Sequence, residues 1–222
     1  MAWTDYIDDY CERTEPGLLA EPLNALSNLA FIVAAIALWL AVRKTAPARP
    51  GSLYGLAVLL ALIGLGSGAF HTIATGWAQF LDVFFIAVFI HVYVVCFLHW
   101  FYGVRWSLAW LGAPGFALFN ALMAWVTGGE GSASYFPALI GLAVFTIALS
   151  VSKDPALVRY RLWFGAATGA FAVSLTLRSV DIAVCPTFTP GTHFLWHSFN
   201  AVVLYLVGRA AVVRARELTP EV

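Results

Sequence analysis

Residues 53–73 read LYGLAVLLALIGLGSGAFHTI, an apolar run free of Asp, Glu, Lys and Arg that carries a histidine near its end. A bilayer's hydrocarbon core is about 30 Å thick, and a helix rises about 1.5 Å per residue, so roughly 20 apolar residues cross it. This stretch is long enough. Ser67 and His71 stand four apart in it and therefore share one helical face. Six further runs have the same character: 24–42, 80–100, 106–126, 135–151, 160–184 and 192–213. The breaks between them hold the residues that stop helices, among them Pro47 and Pro50, Gly76, Gly103, Gly128 and Gly129, Pro155, and Pro186 to Gly191.

Composition agrees with that reading. The chain is 61% hydrophobic and 11% charged, where a soluble domain carries about 25% charge. Mean hydropathy is +0.84. The expectation is an all-α membrane protein of seven transmembrane helices in a single domain, 1–222. An acidic arm (1–23) precedes the bundle (24–213), and a short tail (214–222) follows it. Asp5, Asp8, Asp9, Glu12, Glu15 and Glu21 oppose only Arg13 in the arm. A signal peptide has the opposite order, basic and then apolar, so none is expected. Net charge is zero, and no nucleic-acid partner is expected.

The cations set an orientation. With the N-terminus outside, the inner face receives Arg43, Lys44, Arg49, Arg105, Lys153, Arg159, Arg161, Arg209, Arg214 and Arg216, which is 10 of the 12 Lys and Arg. The positive-inside rule then places the C-terminus in the cytoplasm, which requires an odd number of spans.

That topology brings distant residues to one level. Ser67 and His71 fall at the outer end of the second run, and Asp82 at the outer start of the third. His193 and His197, again four apart, fall at the outer start of the seventh. Ionisable side chains at membrane depth are costly and mark function. A lone histidine there often does no more than bond two helices together. Three at one depth suit a zinc ion, with a fourth position open to water whose pKa zinc lowers to about 7. Asp82 could accept and return a proton, and the Ser67 hydroxyl could donate to an oxyanion. Asn200 follows His197 by three and is a candidate to orient a ligand from behind. His91 and His99 point elsewhere by helical phase and are read as interhelical or interfacial.

In the arm, Asp9-Tyr10-Cys11-Glu12-Arg13-Thr14 and then Glu21 offer oxygens at alternate positions. Such a set suits a hard cation such as calcium, and it also suits a plain solvated acidic surface. Cys11 and Cys185 both map outside, where a disulfide between arm and loop can form; Cys96 lies deep in the third run. Arg178 and Asp181 are one turn apart and are expected to pair.

Taken together, Asp9-Tyr10-Cys11-Glu12, Glu21 to Asn28, Gly64 to His71, Gln79 to Asp82 and His193-Phe194-Leu195-Trp196-His197 resemble the alkaline ceramidases, end to end along the chain. Those enzymes belong to a superfamily of seven-helix membrane hydrolases that also includes adiponectin-receptor-like proteins. The resemblance implies a zinc amidase of sphingolipid metabolism that cleaves the N-acyl bond of ceramide to sphingoid base and fatty acid. Membrane lipids would be both solvent and substrate. It implies zinc on His71, His193 and His197, with catalytic Ser67 and Asp82. It further implies calcium on Asp9, the Tyr10 carbonyl, Glu12, Thr14 and Glu21, and a Cys11–Cys185 disulfide. Here Val83-Phe84-Phe85 follows the aspartate, unlike the eukaryotic enzymes, and the arm is shorter. The compact chain is expected to be a bacterial member, multi-pass in the inner membrane with its site towards the periplasm. Hydrolysis of another acyl lipid, or a non-enzymatic receptor with a structural metal, are the alternatives.

Overall fold

The computed structural model describes residues 2–219. Met1 and residues 220–222, the end of the expected tail, lie outside the described residues. Seven helices are long and apolar enough to cross a membrane: α1 (Pro22–Thr45), α2 (Gly51–Ile73), α3 (Gly76–Tyr102), α4 (Trp106–Thr127), α5 (Gly131–Ser150), α6 (Pro155–Val184) and α7 (His193–Glu217). Helices are the natural outcome, because lipid offers no partner to an unbonded peptide group. The all-α expectation holds, with no strand among the described residues.

The helices overrun the apolar runs at several ends. α7 continues past 213 to Glu217, so the first four residues of the expected tail are helical. Arg214 and Arg216 in that last turn complement the helix dipole. α5 opens with a 3₁₀ turn, Gly131–Tyr135. α1 is offset at Asn28, whose N–H turns back to the carbonyls of Ala25 and Leu26.

α7 packs chiefly against α6 and α1, and α2 against α3 and α1. α4 is peripheral, with Leu118, Leu122, Trp125 and Val126 all exposed, as suits a face turned to lipid. Because lipid tails are as apolar as leucine, helices in a membrane associate through close contact rather than exclusion from water. Gly66 is where α2 and α3 meet. A Cβ there would lie 2.8 Å from the Leu81 carbonyl oxygen. The next residues along each helix, Ser67 and Asp82, are thereby brought to the same contact.

At the opposite end, Glu217 pairs with Arg159 and with Arg214, and the Ala48 N–H donates to Thr219 Oγ1 at 3.1 Å. The C-terminus of α7 therefore lies with the basic loops and its N-terminus with the histidines. Cys11 and Cys185 form a disulfide, Cα–Cα 5.5 Å, and Cys96 is free and buried. Thiol labelling of the denatured protein should count one thiol before reduction and three after; three before reduction would contradict the bridge.

Candidate metal centre

His71 stands in the last turn of α2, and His193 and His197 in the first turns of α7. All three are at most 2% exposed. One ring nitrogen from each lies within 4.8 Å of the others, and the ring centroids are 4.6–5.1 Å apart. The i, i+4 spacing supplies two of the rings from one face of α7, and packing brings up the third.

Their outer bonds fix which nitrogens face inward. His71 Nδ1 lies 2.5 Å from Glu21 Oε2; an ionised carboxylate only accepts, so Nδ1 carries the proton. The Ser27 hydroxyl donates to the Asn24 carbonyl at 2.9 Å and so accepts from His197 Nδ1 at 2.8 Å. The Nε2 atoms of both rings then carry lone pairs, and the one protein atom near His197 Nε2 is Ser67 Oγ, at 3.5 Å. His71 Nε2 and His193 Nδ1 are buried with no hydrogen-bond partner. Buried polar atoms are rarely orphaned, and unbonded imidazole nitrogens in a tight cluster fit a metal ion. Neutral histidines backed by a carboxylate or hydroxyl are the usual surround of such an ion.

Ser67 is 1% exposed, and its Oγ lies 3.5 Å from His197 Nε2. Asp82 is buried beside it, within electrostatic reach of His71. Asn200 is buried too, but the histidines take their outer bonds from Glu21 and Ser27 instead. Asn200 lines an apolar cavity next to the cluster, with Phe31, Phe89, Tyr135, Phe171 and Trp196. A second cavity, bounded by α3, α4 and α5, shares Ile86, Phe116 and Tyr135 with the first.

The arm closes over the histidines. The Tyr10 ring stacks on His193 with centroids 3.7 Å apart, and burial pushes the Tyr10 phenol above its usual range. The expected Arg178–Asp181 pair is not formed. Asp181 is drawn instead to the N-terminus of α7, where Oδ1 accepts from the N–H groups of Thr192 (2.6 Å) and His193 (2.9 Å). Its Oδ2 accepts from Cys11 N–H at 2.9 Å. A helix N-terminus presents unbonded donors and favours negative charge, which outcompetes a neighbour one turn away. Gly191 permits this approach: its φ is +64°, and a Cβ there would meet Cys11 Cβ at 2.6 Å. Arg178 turns to Ser132 Oγ (2.8 Å), the Tyr10 hydroxyl (3.4 Å) and the faces of Tyr135 and Trp196.

The residues expected to hold calcium do not gather around one point. Asp9 accepts from Gln79 Nε2 at 2.8 Å. Glu12 accepts from the N–H groups of Leu23 (2.7 Å) and Asn24 (2.8 Å), which caps the first turn of α1. The Tyr10 carbonyl accepts from Arg13 N–H at 3.2 Å, and Thr14 is exposed. Glu21, 1% exposed, bonds Arg13, Asn24 and His71. The oxygens of Asp9, Tyr10, Glu12 and Glu21 are engaged by N–H donors, and the set does not fit a hard cation as arranged.

Ser27 lies within the Glu21 to Asn28 motif without a role expected of it, although Asn24, Ser27 and Asn28 form a polar i, i+3, i+4 set on an otherwise apolar helix. His91 and His99 stay away from the centre. His91 Nδ1 bonds its own helix at Ala87 O, and His99 Nδ1 bonds Val104 O while its ring stacks on Trp106.

Fold and site together define a seven-helix membrane protein with a buried three-histidine centre at one end of its bundle. The family model described as Ceramidase matches residues 7–218, and the chain belongs to that family. No individually curated protein matches it.

Proposed function

We propose that the protein is a zinc-dependent lipid amide hydrolase that cleaves the N-acyl bond of ceramide-like lipids to a sphingoid base and a fatty acid. The observation that carries this reading is the cluster of three buried histidines, two of them with an unbonded ring nitrogen, in a member of the Ceramidase family. His71, His193 and His197 would hold the ion. When bound it supplies a Lewis acid and an activated water, with an open position that a four-ligand structural site lacks.

The chain's own residues do the rest. Glu21 and Ser27 hold two imidazoles in the tautomer that coordinates. The Ser67 hydroxyl donates to the amide carbonyl oxygen as charge builds on it. Asp82 takes a proton from the attacking water as the C–O bond forms, and returns it to the amine nitrogen as the C–N bond then breaks. The acyl chain occupies the apolar cavity walled by Phe89, Phe171 and Trp196. The centre faces the outer side, the periplasm in a bacterial inner membrane, because the basic loops lie at the other end.

Asp82→Asn preserves shape and removes the base. Hydrolysis of a fluorescent N-acyl sphingosine should fall about a hundred-fold or more while metal content stays unchanged. Full activity in this variant would sink the mechanism. A panel of ester and other N-acyl lipids, assayed with the purified protein, distinguishes the ceramide bond from its relatives.

A further inference from the structure

Arg13 lies in the middle of the arm's acidic motif and is 4% exposed. Its Nε donates to Glu21 Oε1, Nη1 to the Gly17 carbonyl at 3.1 Å and Nη2 to the His71 carbonyl at 3.1 Å. Three oxygen groups, two from the arm and one from the end of α2, thus converge on one guanidinium. The same Glu21 holds His71 Nδ1 through its other oxygen, where Asn24 Nδ2 also donates at 2.9 Å. Arg13 therefore touches the His71 segment twice: directly at its backbone, and through Glu21 at its ring.

A calcium ion gathers six to eight oxygens at about 2.3–2.6 Å. Here the carboxylate such an ion would need already faces a permanent cation, which a divalent ion would repel. Arginine is the side chain suited to this task, since it is always charged and its planar fork can meet several oxygens in fixed directions.

We infer that the Arg13 guanidinium is this chain's built-in replacement for an arm cation, so that the protein needs no calcium and Arg13 positions His71 for metal binding. The inference goes beyond the hydrolase reading, and its tests do not use hydrolysis. In the first, the zinc-loaded, purified protein is titrated with calcium by calorimetry and by thermal melting. No calcium heat and an unchanged midpoint are expected; stoichiometric binding, or a midpoint raised by several degrees, overturns the inference. In the second, zinc affinity is measured by competition with a chromophoric chelator for wild type, Arg13→Ala and Arg13→Lys. Loss of a group that orients a ligand typically weakens a metal site ten- to a hundred-fold. Arg13→Ala should weaken zinc binding at least tenfold, with partial recovery in Arg13→Lys. Zinc affinity equal to wild type in a folded Arg13→Ala protein refutes the positioning role. If that variant does not fold, the wild-type calcium titration alone decides.

Discussion

His193→Ala is expected to strip the protein of its metal and to reduce hydrolysis of an N-acyl sphingosine to background while the helical spectrum is retained. The ring contributes one of only three nitrogens in the cluster, and a site left with two ligands cannot hold the ion against competition from water and chelators. Tyr10, stacked on that ring, would lose its platform, but the backbone of α7 keeps its cap, because Asp181 binds the N–H groups of residues 192 and 193 rather than any side chain. Activity and metal should therefore disappear together without unfolding. Elemental analysis of the purified variant against wild type is the check. Wild-type metal content in His193→Ala would remove this histidine from the centre, and wild-type hydrolysis without metal would remove the metal from the reaction.

Glu21→Ala should produce the largest loss of stability. The carboxylate bonds Arg13, Asn24 and His71, and the Arg13 and Glu21 side chains are 0% and 2% exposed. Burial alone would raise the pKa of Glu21, but the hydrogen bonds it accepts from His71, Arg13 and Asn24 hold it below the ordinary value of 4.5. Removing one partner of a buried ion pair strands the other charge, at a cost of about 3–5 kcal/mol. For a chain of this size that lowers the melting midpoint by on the order of 10 °C. Glu21→Gln, which keeps the shape and loses the charge, should fall between. The sign of the pH effect follows: a carboxylate depressed in the folded state contributes fully at neutral pH, and its contribution is lost as pH falls below the ordinary glutamate range. Melting curves for wild type and Glu21→Gln should approach one another on acidification. Curves that stay parallel would mean that the charge of Glu21 contributes nothing.

The spans and the three histidines were legible because each rests on local arithmetic. Run length reports bilayer thickness, and four-residue spacing reports a shared helical face. What could not be read was competition among partners distant in sequence. Arg178 and Asp181 have the spacing of an ion pair, yet the N–H groups of residues 192 and 193 arrive at Asp181 from a later helix, and the guanidinium settles among aromatic faces. Alternating oxygens in the arm read as a cation site, and there is a cation, but it is a side chain two residues past Cys11 that folds back on the motif. Ser27 is a single hydroxyl in an apolar helix, and only the tertiary contact with His197 gives it a role.

The arm has a kinetic consequence. Tyr10 stacked on His193, Arg13 bonded to the end of α2 and the bridge from Cys11 to Cys185 roof the histidines on their aqueous side. The apolar cavity beneath continues instead towards the gap bounded by α3, α4 and α5. A lipid reaching the centre under our reading arrives sideways, by diffusion in the plane of one leaflet. The rate should then follow the substrate's mole fraction in the surrounding lipid or detergent. Adding inert lipid at constant bulk substrate should slow turnover just as dilution slows a soluble enzyme.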